Sequence, residues 1–301
     1  MSSERTSEEN SKLDLRPTAE AVTAMFEGQL AAAQSVGDQV GALARAAEEA
    51  AERLRKGDGR LVYAGAGTSG RLAVLDGVEL EPTFGWERER LIYAIAGGFE
   101  ALSGSIENAE DDEEAARELV KSSNLTRNDV VIAVSASGTT PYTVAFARAA
   151  RSSGALAVAL SSNSKTPLLA EADHRIFLDT GDELVSGSTR MKAGTAQKIA
   201  LNLLSTAIMI RLGRVYDGLM VDMRVTNRKL RARAIGIVAT ISGADARAAE
   251  TALDRAETNI KRAVLLAMGV AEREADDLLA RSGGDLRAAI AHLRGTGSAT
   301  N

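Results

Sequence analysis

The chain has 301 residues, 45% hydrophobic and 26% charged, a globular composition with room for one large domain or two smaller ones. It has no cysteine and two histidines, which excludes disulfides, thiolate nucleophiles and cysteine–zinc centres and disfavours a histidine-built metal site. A net charge of −5 and 3% aromatic residues argue against a nucleic-acid surface, and acid–base work is left mostly to carboxylates.

Residues 1–15 are polar and charged and read as an arm, without the apolar stretch of a secretory signal. The longest apolar run, within Ile199–Leu212, is too short to span a bilayer, so the expectation is a soluble cytoplasmic protein. Thr18 to Lys56 is helical in pattern, with one apolar face at Val22, Met25 and Phe26 and another at Val40, Leu43 and Ala46. Lys56–Gly59 closes it.

Leu61–Ala64 then run into Gly65, Gly67 and Gly70, and a helical pattern follows from Ser69 with Leu72, Leu75 and Val78 spaced by three. This is a strand, a tight turn and a helix N-terminus, where outward N–H groups and the helix dipole favour an anion such as phosphate. Gly67, Thr68 and Ser69 lie in the turn as candidate ligands. The glycines also spell G-x-G-x-x-G, a weak dinucleotide signal. The fingerprint needs an acid ending the second strand, and here Leu91–Ala96 ends in Gly97-Gly98.

Further strands are expected at Leu91–Ala96, Val130–Ser135, Leu156–Leu160 and Arg175–Leu178, with helices at Ser105–Ser122, Pro141–Ser152 and Pro167–Ala172. The alternation implies an α/β fold with a parallel sheet covered on both faces, whose ligands sit beyond the carboxyl ends of the strands. Four loops there are rich in Ser, Thr and Gly: 65–70, 135–142, 161–167 and 186–192. Capping accounts for any one of them; together they suit a phosphosugar. The candidates are Ser135, Ser137, Gly138, Thr139, Thr140, Ser188 and Lys192, with Arg190 beside them. A long helix is expected over Ser188–Leu212, and only short amphipathic helices after Arg224, the last of them resembling a three-helix ubiquitin-associated-type bundle. The expected division is an arm with helices at 1–58, a phosphosugar-binding domain at 59–223 and a small helical domain at 224–301.

The motifs A-G-A-G-T-S-G-R-L, S-A-S-G-T-T-P-Y, G-S-T-R-M-K-A-G-T-A-Q-K and L-M-V-D-M-R-V-T-N resemble those of the N-acetylmuramic acid 6-phosphate etherases, over roughly residues 10–295. The resemblance implies a sugar-isomerase (SIS) three-layer fold with a five-stranded parallel sheet, a helical C-terminal part and a homodimer. It also implies expulsion of D-lactate from a phosphosugar without metal or organic cofactor. Glu79, in D-G-V-E, matches the family's proton donor, and Glu110, in N-A-E-D-D, matches its base. The sequence departs from the family at Gly77-Val78 (usually Ala-Ser), at Leu80-Glu81 (usually Cys-Pro) and at Thr139 (usually Arg). In an unbroken helix Glu79 would lie about 15 Å from Ser69. Either Gly77 breaks the helix or Glu79 serves a neighbouring subunit. A phosphosugar-sensing regulator and an aldose–ketose isomerase are the competing readings.

Overall fold

The computed structural model describes residues 12–296, so most of the arm expected at 1–15 lies outside the described residues. The chain divides into two compact units. The first takes the residues up to Val78 and then Arg88–Ile208; the second takes Glu79–Glu87 and the residues from Met209 on. The second division falls inside a helix.

The first unit is built on five parallel strands, β1 (Leu61–Gly65), β2 (Leu91–Ile95), β3 (Val130–Val134), β4 (Leu156–Ser161) and β5 (His174–Phe177), in the order β2-β1-β3-β4-β5. Every residue of β1, β3 and β4 is buried, and such strands need the continuous apolar runs the sequence supplies. Helices α1 (Thr18–Gly37), α2 (Val40–Arg55), α3 (Gly67–Val78), α5 (Glu113–Ser122), α6 (Pro141–Ser152), α7 (Pro167–Ala170) and α8 (Lys192–Arg211, in this unit to Ile208) complete it. Val62, Ala64, Val131, Ala133 and Ala159 face Phe146 and its neighbours on α6 in one core cluster. From β1 the chain goes to β2 on one side and then crosses to β3 on the other. That reversal opens a crevice outside the carboxyl ends of β1 and β3.

The opposite, amino edge is laced by three arginines. Arg53 donates to the carbonyls of Arg127 and Gly154, and Arg60 to those of Ser123 and Asn124. Arg90 donates to those of Gly59, Leu54 and Gly57. Arg60 also pairs with the buried Asp129 at 2.9 Å. Burial raises the pKa of that carboxyl, but the Arg60 side chain and two backbone N–H groups outweigh it and hold the group below the usual range.

The residues spaced by three, Leu72, Leu75 and Val78, do not form the buried face of α3. Leu75 and Val78 are 48% and 46% exposed, whereas Ser69, Gly70, Ala73, Asp76 and Gly77 are buried. Small residues let the helix lie close against Tyr63 and Tyr93 of the sheet, where leucines would not fit. The long helix starts at Lys192, not Ser188, because Ser188–Met191 form turns with Gly187 at φ +73°.

In the second unit, the short α4 (Leu80–Phe84) and a hairpin of β6 (Val215–Tyr216) and β7 (Leu219–Met220) accompany five helices. These are α9 (Arg228–Ser242), α10 (Ala246–Arg255), α11 (Ile260–Ala267), α12 (Glu272–Arg281) and α13 (Leu286–Thr296). Val221, Ala234, Val238, Leu253, Val264 and Leu286 share their core. Lys261, nearly buried, pairs with Asp222 at 2.5 Å and donates to the Gly284 carbonyl. No helix among the described residues is long and apolar enough to cross a membrane.

Candidate functional site

The crevice is walled first by the glycine turn. Gly65 and Gly70 touch: a Cβ on Gly70 would stand 2.8 Å from the Gly65 carbonyl oxygen, so strand and helix can close this tightly only without side chains. Gly67 opens α3 with φ +51°, leaving Thr68 half-buried and Ser69 buried in the first turn.

Glu110 comes to this turn from the β2–α5 connection. Asn108, at φ 59°, starts a 3-10 turn over Ala109–Asp111, and the Asp112 carboxylate caps α5 through the Ala115 N–H. The exposed Glu110 carboxylate is thereby laid against the glycine turn: a Cβ on Gly67 would stand 2.8 Å from Glu110 Oε1. A cavity of about 610 Å³, lined by Tyr93, Ile106, Asn108, Ala109 and Tyr142 among others, lies beside it. Burial, with Asp112 nearby, pushes the Tyr142 hydroxyl up to about 12.

The second wall is the loop after β3, and its hydroxyls bond one another. Ser135 Oγ accepts the Gly138 N–H at 3.0 Å and lies 3.0 Å from Thr140 Oγ1. Ser137 Oγ accepts the Thr139 N–H and hydroxyl. The loop after β4 supports it from below. Gly138, at φ +71°, has no room for a Cβ beside Ser161 and Thr166, and Asn163 Nδ2 donates to the Ala136 carbonyl. Thr166 also caps α7, so the 161–167 loop is structural in its visible contacts.

The connection from β5 leads into α8, whose first turn lies against the glycine turn: a Cβ on Gly194 would lie 3.6 Å from Thr68 Cγ2, while the Lys192 side chain packs toward Gly28 and Ser188 is half-buried in the loop before the helix. The N-terminus of α8 is already occupied: the buried Glu183 carboxylate accepts the N–H groups of Lys192 and Ala193 at 3.0 and 2.9 Å. Lys192 Nζ donates to the Asp182 carbonyl. Glu183 is a residue that sequence reading passed over, because no local pattern ties it to a helix starting nine positions on.

Glu79 belongs to the second unit, where it is exposed. It follows directly on α3, with φ −80° and ψ −12°, and precedes α4. Helix α3 runs on through Gly77 to Val78, so the break expected at Gly77 is not found there. Among the described residues no group of three or more His, Cys, Asp or Glu is disposed to hold a metal ion.

Against proteins of known identity, the chain is 48% identical over 281 residues to the N-acetylmuramic acid 6-phosphate etherase of Deinococcus radiodurans, covering 93% of this chain and 92% of that one. It is 46% identical over 284 residues to the etherase of Streptomyces avermitilis, covering 94% and 91%. The chain belongs to the N-acetylmuramic acid 6-phosphate etherase family.

The family model of the glucokinase regulatory protein N-terminal SIS domain matches residues 42–150, most of the first unit's β1–β3 half. A solved structure from Bacteroides fragilis, described as a phosphosugar isomerase involved in capsule formation, superposes with a TM-score of 0.50 at 20% identity. It covers 67% of this chain and 95% of that one, which bears on the fold alone. The etherase departure at Gly77 has a local cause: a Cβ there would meet Tyr93 Cε1 at 2.6 Å and Tyr63 Cε2 at 2.9 Å, so the stacked tyrosines of this chain require glycine. Nothing in the structure explains Thr139 in place of arginine.

Proposed function

We propose that this chain is a carbon–oxygen lyase that removes D-lactate from the C3 ether of N-acetylmuramic acid 6-phosphate, giving N-acetylglucosamine 6-phosphate. Full-length relationship to the etherases carries the reading, and the Glu110 carboxylate lying on the anion-binding turn supports the site assignment.

The chemistry explains why two carboxyl groups are needed. An ether at C3 resists direct hydrolysis. Opening the sugar exposes an aldehyde at C1, and the C2 proton becomes removable. Glu110, as base, takes that proton. Glu79, as acid, protonates the ether oxygen while the C3–O bond breaks, so lactate leaves and a C2=C3 double bond remains. Water then adds its oxygen to C3, giving its proton to Glu79, while Glu110 returns a proton to C2. One water is consumed and both carboxyl groups end as they began. The N-terminus of α3 with Gly67, Thr68 and Ser69, the hydroxyls of Ser135, Ser137, Thr139 and Thr140 with the Gly138 backbone, and Ser188 with Lys192 hold the phosphate and sugar.

The reading includes a homodimer in which the neighbouring subunit completes each site. Val22, Phe26 and Leu30, spaced by four on α1, are all at least half exposed, and Leu75 and Val78 on α3 are nearly so. Such apolar surface suits a second copy. A doubly charged phosphosugar does not cross membranes unaided, so the reaction is assigned to the cytoplasm.

The test is lactate release from N-acetylmuramic acid 6-phosphate by the chain and by its Glu79→Gln and Glu110→Gln variants. Loss of one acid–base partner is expected to cost on the order of 10²- to 10⁴-fold. No lactate from the unaltered chain overturns the function and leaves the isomerase or regulator reading; unchanged rates in both variants overturn the roles. Solvent oxygen at C3 of the product supports elimination and rehydration.

A further inference from the structure

A buried acid in α3 takes no part in the chemistry above. Asp76 is 2% exposed, on the face of the helix that meets the sheet. Tyr63 of β1 donates its hydroxyl to Asp76 Oδ2 at 2.8 Å. Asn202 of α8 donates Nδ2 to Asp76 Oδ1 at 2.6 Å. The Lys198 ammonium donates to Asn202 Oδ1, which fixes the orientation of the amide. Burial, reinforced by Asp76, holds the Tyr63 hydroxyl well above its usual range, so it remains a donor at any working pH. Both oxygens of Asp76 therefore accept from neutral donors, and the cation stands one residue further out.

As a stabilising device this is poor, since an apolar side chain would fill the place without desolvating a charge. What the arrangement supplies is register. Gly194 meets Thr68 at the start of α3 and Asn202 meets Asp76 near its end. Each pair of positions is eight residues apart, about 12 Å along either helix at the α-helical rise. The two helices thus run parallel and in step, and the Asp76 bonds lock that step to β1. Freeing the last turns of α3 from β1 would displace the residue that follows them, Glu79, whereas the first turn, on which Glu110 is seated, stays held by the close Gly65–Gly70 approach.

We propose that Asp76, held by Tyr63 and Asn202, is a positioning residue that sets the last turns of α3 so that Glu79 reaches the leaving lactate oxygen. This rests on the role given to Glu79 above. The run ending in Lys198 then has a role beyond substrate contact: its last lysine orients the amide that holds Asp76.

Two reactions separate positioning from general loosening. Lactate release needs both carboxyl groups, whereas exchange of the C2 proton of N-acetylglucosamine 6-phosphate with deuterated water needs only the base. Asp76→Asn and the milder Tyr63→Phe are measured in both, beside Glu79→Gln and with a thermal melt. The expected result is a fall in kcat for lactate release of tenfold or more with KM little changed, and C2 exchange kept within about threefold. Either change placed on Glu79→Gln should add little, as for groups acting through one another. Equal losses in both reactions, or no loss in lactate release from folded Tyr63→Phe, overturn the proposal. Should Asp76→Asn fail to fold, Tyr63→Phe decides. An unaltered chain that releases no lactate defeats the functional reading instead, and is recognised by that control.

Discussion

Gly67→Ala puts the most direct strain on the site. The residue has φ +51°, a region in which a Cβ meets its own carbonyl at a cost of about 1–2 kcal/mol. The added methyl would also stand 2.8 Å from Glu110 Oε1, and ordinary contact begins at 3.4 Å. Glu110 is exposed and can swing, so the collision itself costs little stability, and the melting temperature should fall by only about 2–8 °C at roughly 2–4 °C per kcal/mol for a chain of this size. Catalysis has no such escape. The carboxylate must retreat by about 0.6 Å from the turn it is seated on, and misplacement of a reacting group by an ångström costs on the order of 10²-fold. The C2 exchange rate and kcat for lactate should both fall tenfold to a hundredfold. Gly218→Ala is the control: its φ is +77°, nothing lies within 4 Å of its Cβ, and it sits in the β6–β7 hairpin. It should cost similar stability and no exchange activity. Exchange at the unaltered rate in Gly67→Ala, or an equal loss in Gly218→Ala, would refute the reasoning.

Two other outcomes follow from contacts in the first unit. Gly77→Ala should destabilise the chain by about 1–3 kcal/mol through overpacking, and Tyr93→Leu should recover part of that loss in a thermal melt of the double variant, since the tyrosine ring is the obstacle. Asp129 has a folded pKa below its unfolded value, so its contribution is fully present above about pH 4 and is lost as pH falls through the folded pKa. Denaturant unfolding from pH 7 down to pH 3 should show that loss in the unaltered chain, and Asp129→Asn should flatten this part of the profile while lowering stability at pH 7.

The alternation of strands and helices was legible because β1, β3 and β4 are buried on both faces and so appear as unbroken apolar runs. The loops beyond their carboxyl ends were legible because Gly and hydroxyl residues cluster there. The seat of Glu110 on Gly67 was not, since it depends on how the β2–α5 connection folds back over β1. The buried face of α3 was not legible either: after the close Gly65–Gly70 approach the helix lies so near the sheet that only small residues fit between, and Leu75 and Val78 are left exposed. Asp76 passed unnoticed because an acid in a helix is ordinarily solvated, and its donors lie in β1 and α8. The β6–β7 hairpin has two residues per strand, too few to show any period.

The guanidinium lacing at the amino edge has a bearing on how such an enzyme can change. Arg53, Arg60 and Arg90 tie helix ends and strand starts to one another where no substrate comes. The loops that select a ligand hang from the other end of the same strands. A lineage, or a protein engineer, can therefore exchange whole carboxyl-edge loops for new sugars while the fastening that keeps the strands aligned goes untouched. The order of operations matters, however: losing one of these arginines first leaves less tolerance for the strained glycine turns that a new specificity would need.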